Sequence, residues 1–118
     1  MDALVRHMPY NQPLDTIFQA LSDPTRRAVL DRLVNGPATT GALAEPFNMA
    51  LPSFTQHLAV LERSGLVTSA KAGRVRTYKL AAARLAEAET WLSQRRAMWE
   101  TRLDQLDRFL LSQKENGG

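Results

Sequence analysis

Ser53, Thr55 and Gln56 place three short hydrogen-bonding side chains within one helical turn. The cations Lys71, Arg74 and Arg76 follow a few turns later. Short amides and hydroxyls pair with base edges in a duplex major groove, which is wide enough for one helix. Arg and Lys suit phosphate or minor-groove contact, which fixes position without reading sequence. Leu51 and Pro52, just upstream, either touch a thymine methyl or only start the helix. His57 is a phosphate ligand, a pH switch or a packing residue. Arg26 and Arg27 stand in the first turn of an earlier helix, where cations oppose the helix dipole. They answer either an outside partner or an ion pair with Asp23 or Asp31.

Other chemistries lack their residues. The chain has 118 residues, one domain's worth, and no cysteine. Disulfides, thiolate zinc sites, iron–sulfur clusters and cysteine nucleophiles are thereby excluded. The histidines are His7 and His57, with no carboxylate beside either, and there is no Gly-rich phosphate loop. No enzyme activity and no cofactor are expected. Glu87, Glu89, Asp104 and Asp107 alternate with arginines and read as surface charges rather than metal ligands. No segment approaches the roughly 18 apolar residues of a membrane span, and no secretory leader is visible at the start. A cytoplasmic protein that does not contact the membrane is expected.

The location of charge supports a polyanionic partner. The formal net charge is +3. Residues 51–80 carry Arg63, Lys71, Arg74, Arg76 and Lys79 against Glu62, a net +4. Residues 1–50 come to −1 and residues 81–118 to zero.

The elements that must hold these residues follow from periodicity and punctuation. Residues 1–13, with Pro9 and Pro13, read as a flexible arm. Leu14, Ile17, Phe18 and Leu21 have helical spacing. Asp23-Pro24 starts a second helix with a capping carboxylate and a first-turn proline, and Asn35-Gly36-Pro37 stops it. That helix is expected to bury Ala28, Val29, Leu30, Leu33 and Val34. Thr39 or Thr40 caps a short third helix holding Ala42, Leu43 and Ala44, with Phe47 packing at its end. A fourth helix runs from Leu51-Pro52 to Ser64-Gly65, with Phe54, Leu58 and Leu61 as its apolar stripe. Leu66–Ser69 and Val75–Leu80 read as strands joined by a tip at Lys71–Arg74. Residues 84–112 form one long helix in which Leu85, Leu92, Trp99 and Leu106 recur every seven residues, flanked by Leu103. Such a stripe needs a partner, and a helix of that length spans about 40 Å. Trp91 and Trp99 line up on one side, with Arg95 or Arg96 as a cation–π neighbour.

A tight turn between the third and fourth helices, then a basic hairpin, makes a helix-turn-helix with a wing. LSDPTRRAVLDRL, LPSFTQHLAVLERSGLV and GRVRTYKL resemble the ArsR-type winged helix-turn-helix repressors over roughly residues 14–80. The last helix is similar to that of a metal-independent branch. The resemblance implies an α+β, mostly α fold with a β-hairpin wing and a long C-terminal dimerisation helix. It implies a homodimeric transcriptional regulator, usually a repressor, that binds double-stranded DNA, with the fourth helix as the recognition helix. The first and last helices would form the dimer interface, with Leu14 and Phe18 joining Leu85, Leu92, Trp99, Leu103 and Leu106. Metal sensors of the family carry cysteines in the third helix, or acid and histidine ligands in the last. Neither set is present, so no metal site is expected, and no effector ligand can be named. A second departure is Ala50, where relatives often place a capping serine. Residues 14–80 are then the DNA-binding core and 81–118 the dimerisation helix and tail of the same domain. The rival reading is a winged helix that binds another protein without specific DNA binding.

Overall fold

A computed structural model describes residues 12–117. Helix α1 is Gln12–Leu21, α2 is Pro24–Leu33, α3 is Thr40–Ala44, α4 is Leu51–Ser64 and α5 is Leu85–Gly117. Strand β1 is Ala38–Thr39, β2 is Val67–Ala72 and β3 is Val75–Leu80. The chain divides into two compact units, one ending at Ala88 and one formed by Glu89–Gly118. Most of the expected N-terminal arm, residues 1–11, lies outside the described residues.

Local chemistry sets the helix boundaries. The Asp23 carboxylate accepts the backbone N–H of Arg26 at 3.2 Å, and Pro24 occupies the first turn of α2. The Thr39 hydroxyl accepts from the Ala42 N–H at 3.2 Å and caps α3. Ala50 begins α4 with no side-chain cap. Gly65 ends α4 at φ 83°, and a Cβ there would lie 2.6 Å from Cγ of Arg84, so backbone and space both call for glycine.

The apolar stripe of α4 is the centre of the first unit. Phe54, Leu58 and Leu61 are buried, together with Ile17 and Ala20 of α1, Val29 and Leu33 of α2, and Leu43 of α3. Burial of each large side chain contributes roughly 1.5–3 kcal/mol. The Phe47 and Phe54 rings stack at 5.4 Å and anchor the turn that leads into α4. Three expectations for α2 need correction: Ala28 is exposed, Leu30 is half-buried and Val34 is 70% exposed. Leu30 and Val34 instead line an open apolar groove of about 270 Å³ with Leu21, Leu66, Leu80 and Leu85.

The wing differs from the expected hairpin in two ways. Its ladder runs from Val67↔Leu80 to Ala72↔Val75, so only Gly73 and Arg74 form the turn. Gly73 has φ 63°, as a II′ turn requires at its first central residue. Lys71 therefore sits within the ladder, opposite Arg76, not at the tip. A third strand also joins: β1 pairs with β3 through Ala38↔Tyr78 and Thr39↔Thr77, giving the order β1-β3-β2. Two residues are too few to show a strand period.

In the second unit the helix continues to Gly117, past the expected end, because neither glycine nor proline interrupts it earlier. Leu92, Trp99, Leu103 and Leu106 are all exposed, Trp99 at 60% and Leu103 at 58%. The Arg95 guanidinium lies 4.5 Å from the centroid of the half-buried Trp91 ring, and Arg96 donates to Glu100 at 2.9 Å.

Removing the cap carboxylate should cost the α2 start its acceptor. Asp23→Ala is expected to lower stability by about 1 kcal/mol, and Asp23→Asn much less. Urea unfolding followed by circular dichroism measures both, and equal losses in the two would refute capping as the cause.

Candidate nucleic-acid interface

The α4 backbone turns its first two turns outward on one side. Leu51, Pro52, Ser53, Thr55 and Gln56 are exposed, whereas Phe54 and Leu58 point inward. The Thr55 hydroxyl donates to the Pro52 carbonyl at 3.0 Å, so its proton is spent within the helix. Ser53 and Gln56 line a shallow pocket of about 410 Å³ with Arg26, Pro52, His57 and Val60.

His57 is held from the α2 side. Its Nδ1 lies 3.0 Å from Nη1 of Arg26 and 3.7 Å from Oδ2 of Asp23. Burial works against the Asp23 charge. The backbone N–H groups of Arg26 and Thr25, with the His57 and Arg26 charges, outweigh it and hold this carboxyl below its ordinary value.

Arg26 and Arg27 answer a need inside the fold. Arg26 Nε donates to the Ala20 carbonyl at 2.9 Å and Nη2 to the Gln19 carbonyl at 2.8 Å. Arg27 Nη1 donates to the Leu21 carbonyl at 2.7 Å. These carbonyls close α1 and lack intrahelical partners. Cations that oppose the dipole of α2 therefore satisfy the negative end of α1. The guanidinium of Arg26 bonds these carbonyls and His57 rather than the expected Asp23 or Asp31 carboxylate. The signal was present in sequence as two arginines a few residues past a helix end, but the corner that brings them back was not.

The wing is tied to the same helix. Arg76 Nη1 donates to the Ser69 hydroxyl at 2.8 Å, and that hydroxyl donates to Oε2 of Glu62 at 2.8 Å. Ser69 is the diagonal cross-strand neighbour of Arg76, because Ser69 faces Tyr78 in the ladder. Lys71 and Arg74 are exposed beyond this link. Between wing and helices lies a cleft of about 460 Å³ lined by Thr39, Thr40, Gly41, Leu51, Arg74, Val75 and Arg76. Sequence reasoning missed Thr40 and Gly41 here because β1, which brings them to the wing, is only two residues long.

The arrangement is a short helix, a turn, a second helix with polar residues outward, and a cationic hairpin pinned beside it. Residues 21–70 match a family model described as a helix-turn-helix domain. The chain is 35% identical over 79 residues to the transcriptional repressor SdpR of Bacillus subtilis, covering 67% of this chain and 88% of that one. It is 42% identical over 81 residues to the HTH-type transcriptional regulator Rv2034 of Mycobacterium tuberculosis, covering 69% and 75%. The crystal structure of an ArsR family transcriptional regulator superposes with a TM-score of 0.74 at 52% identity, covering 77% of this chain and 94% of that one. The chain belongs to the ArsR family of winged helix-turn-helix transcriptional regulators.

In this ArsR-family fold α4 holds the recognition-helix position, and β2 and β3 form the wing. Among the described residues no three His, Cys, Asp or Glu side chains come together as a metal site, and no helix is long and apolar enough to cross a membrane. Of the residues assigned to a dimer interface, Leu92, Trp99, Leu103 and Leu106 are exposed, and Leu85 is 38% exposed. Phe18 is half-buried. Leu14 is only 6% exposed and belongs to the core of the first unit, because α1 turns that position inward.

Loss of the Arg26 fork strips donors from two carbonyls and one imidazole. Arg26→Ala is expected to destabilise the protein by about 1–2 kcal/mol, with Arg26→Lys recovering only part, since an ammonium lacks the fork geometry. Chemical denaturation of both variants checks this, and wild-type stability in Arg26→Ala would remove the structural role.

Proposed function

We propose that this regulator is a homodimeric, sequence-specific repressor that binds a palindromic operator, with Ser53 and Gln56 reading bases. The observation that carries the reading is the net +4 of residues 51–80, on the helix and hairpin where Ser53 and Gln56 are exposed. Leu51 and Pro52 add apolar contact, and Thr55, its proton spent, acts as an acceptor. His57 and Arg26 meet phosphate at the edge of the groove. Arg27, committed to Leu21, has a lesser part. Lys71, Arg74 and Arg76 clamp the flanking backbone.

Dimerisation rests on the exposed stripe of α5. Leu92, Trp99, Leu103 and Leu106 leave an apolar face in water, which a second copy would cover. Leu85 and Phe18 would join that interface, and Leu14 supports α1 from within. Residues 14–80 then act as the DNA-binding core and 81–118 as the dimerisation helix of the same domain. Two recognition helices related by a two-fold axis enter successive major grooves, with half-site centres about 34–36 Å apart. The protein works in the cytoplasm, needs no cofactor, and carries no thiolate switch because it has no cysteine.

Binding of the chain's own upstream region, competed with random duplex in a mobility shift, tests the reading. A specific shift is expected, and no specific shift at low salt would favour the rival, a protein-binding winged helix. Gln56→Ala should reduce discrimination between operator and random DNA. Equal weakening on both would reject base reading by Gln56. Arg74→Ala should weaken both and reduce the salt slope by about one per protomer, and an unchanged slope removes Arg74 from the interface. Trp99→Ala should shift the protein toward monomer in sedimentation at low micromolar concentration, and an intact dimer would count against that face.

A further inference from the structure

We propose that Asp23, Arg26 and His57 form a proton-gated phosphodiester site, so that the protein takes up a proton at His57 when it binds DNA. The inference rests on the DNA-binding reading and adds to it a regulatory chemistry. Arginine has only donors and stays protonated, so the Nδ1 of His57 that faces Nη1 of Arg26 at 3.0 Å must be the acceptor. The proposed resting form of the ring carries its proton on Nε2. Asp23 is held ionised, 3.7 Å from the same nitrogen. Carboxylate and guanidinium cancel, and the net charge of this corner is decided by His57 alone.

The corner opens on the pocket that Arg26 and His57 share with Ser53 and Gln56. A phosphodiester there carries one negative charge. Against a neutral imidazole it meets a corner of zero net charge. A proton taken from solvent onto Nδ1 changes the bonding in one step. Nη1 of Arg26 loses its acceptor and donates to the phosphate from where it stands, while the new Nδ1–H closes on Oδ2 of Asp23, 3.7 Å away in the free protein, and donates to it. The corner then carries +1. Arg26 keeps its place meanwhile, because its Nε and Nη2 remain on the Ala20 and Gln19 carbonyls.

Among the described residues few charged groups face the imidazole, and the charged side chain of β2, Lys71, is exposed in the ladder opposite Arg76. From α2 the groups facing the imidazole are Asp23 and Arg26. The one acidic side chain of α1, Asp15, lies in its first turn, whereas the corner meets its last. On α4 itself Glu62 is committed to Ser69 in the wing, and Arg63 lies in the last turn. The short α3 contributes no charged side chain.

A phosphate contact carries no sequence information, so a random 30-base-pair duplex is a sufficient probe. Its affinity for the full chain, measured by fluorescence anisotropy at fixed salt, should rise by roughly 10-fold or more from pH 8 to pH 5.5. His57→Gln should lose that slope whatever its affinity at pH 8, and His7→Gln should keep it. Asp23→Asn preserves the helix cap but leaves the corner positive without a proton. Its binding should be tighter at pH 8 and less dependent on pH, which keeps the inference testable if His57→Gln does not fold. Nitrogen-15 NMR should find the His57 proton on Nε2 at pH 8, and duplex addition should raise the pH at which His57 titrates. A flat pH profile, a slope retained in His57→Gln, or an unmoved His57 titration would overturn the site. Failure to bind the duplex at any pH in low salt would overturn the DNA reading itself.

Discussion

The orientation of α4 depends on the polar corner at Arg26. Hydrophobic burial of Phe54, Leu58 and Leu61 supplies most of the energy that holds α4 in place, but such burial has no direction. A helix seated only on an apolar stripe can roll or slide at little cost. The guanidinium removes that freedom. It bonds the Ala20 and Gln19 carbonyls and reaches the ring of His57 on α4. The planar fork makes these bonds at fixed angles, so the end of α1, the start of α2 and the middle of α4 share one geometry. Asp23 completes the corner by capping the helix that carries Arg26.

The wing is fixed to the same helix by a second polar link. Glu62, Ser69 and Arg76 connect the last turn of α4 to both strands of the hairpin. β1 adds a backbone tie between the start of α3 and β3. The hairpin therefore meets the helix-turn-helix at two separate places, and a rotation that satisfied one would strain the other. In the proposed complex this lets cations of the wing and side chains of α4 contact DNA with little ordering left to do, which lowers the cost of association.

Much of this fold was legible in the residues. Helical spacing marked the stripe of α4, Gly65 marked its end, and β-branched residues marked the strands. Each signal acts over a few neighbouring positions, the range over which periodicity and caps operate. What escaped was decided by how elements meet. Arg26 finds acceptors six and seven residues upstream, which needs the angle of the α1–α2 corner. β1 is a strand only because β3 lies beside it. The stripe of α1 showed that Leu14 is apolar but not whether its own unit covers it, and it does. Val34 was misread for the matching reason, since helical spacing cannot tell a closed core from an open groove.

The cations of this protein divide by the work their donors do. Arg26 and Arg27 spend most of theirs on carbonyls of α1, and Arg76 spends one on Ser69. These side chains are already ordered, so a phosphate that met them would not bear their full loss of rotamer freedom. Arg74 stands exposed at the two-residue turn, where it adds charge and reach but little register. In the DNA complex we propose, ordered cations would set where the duplex lies against α4, and the tip would follow the backbone as groove width varies. The proton at His57 belongs to the ordered group, because the corner that sets the position of α4 is also the one whose charge it would change.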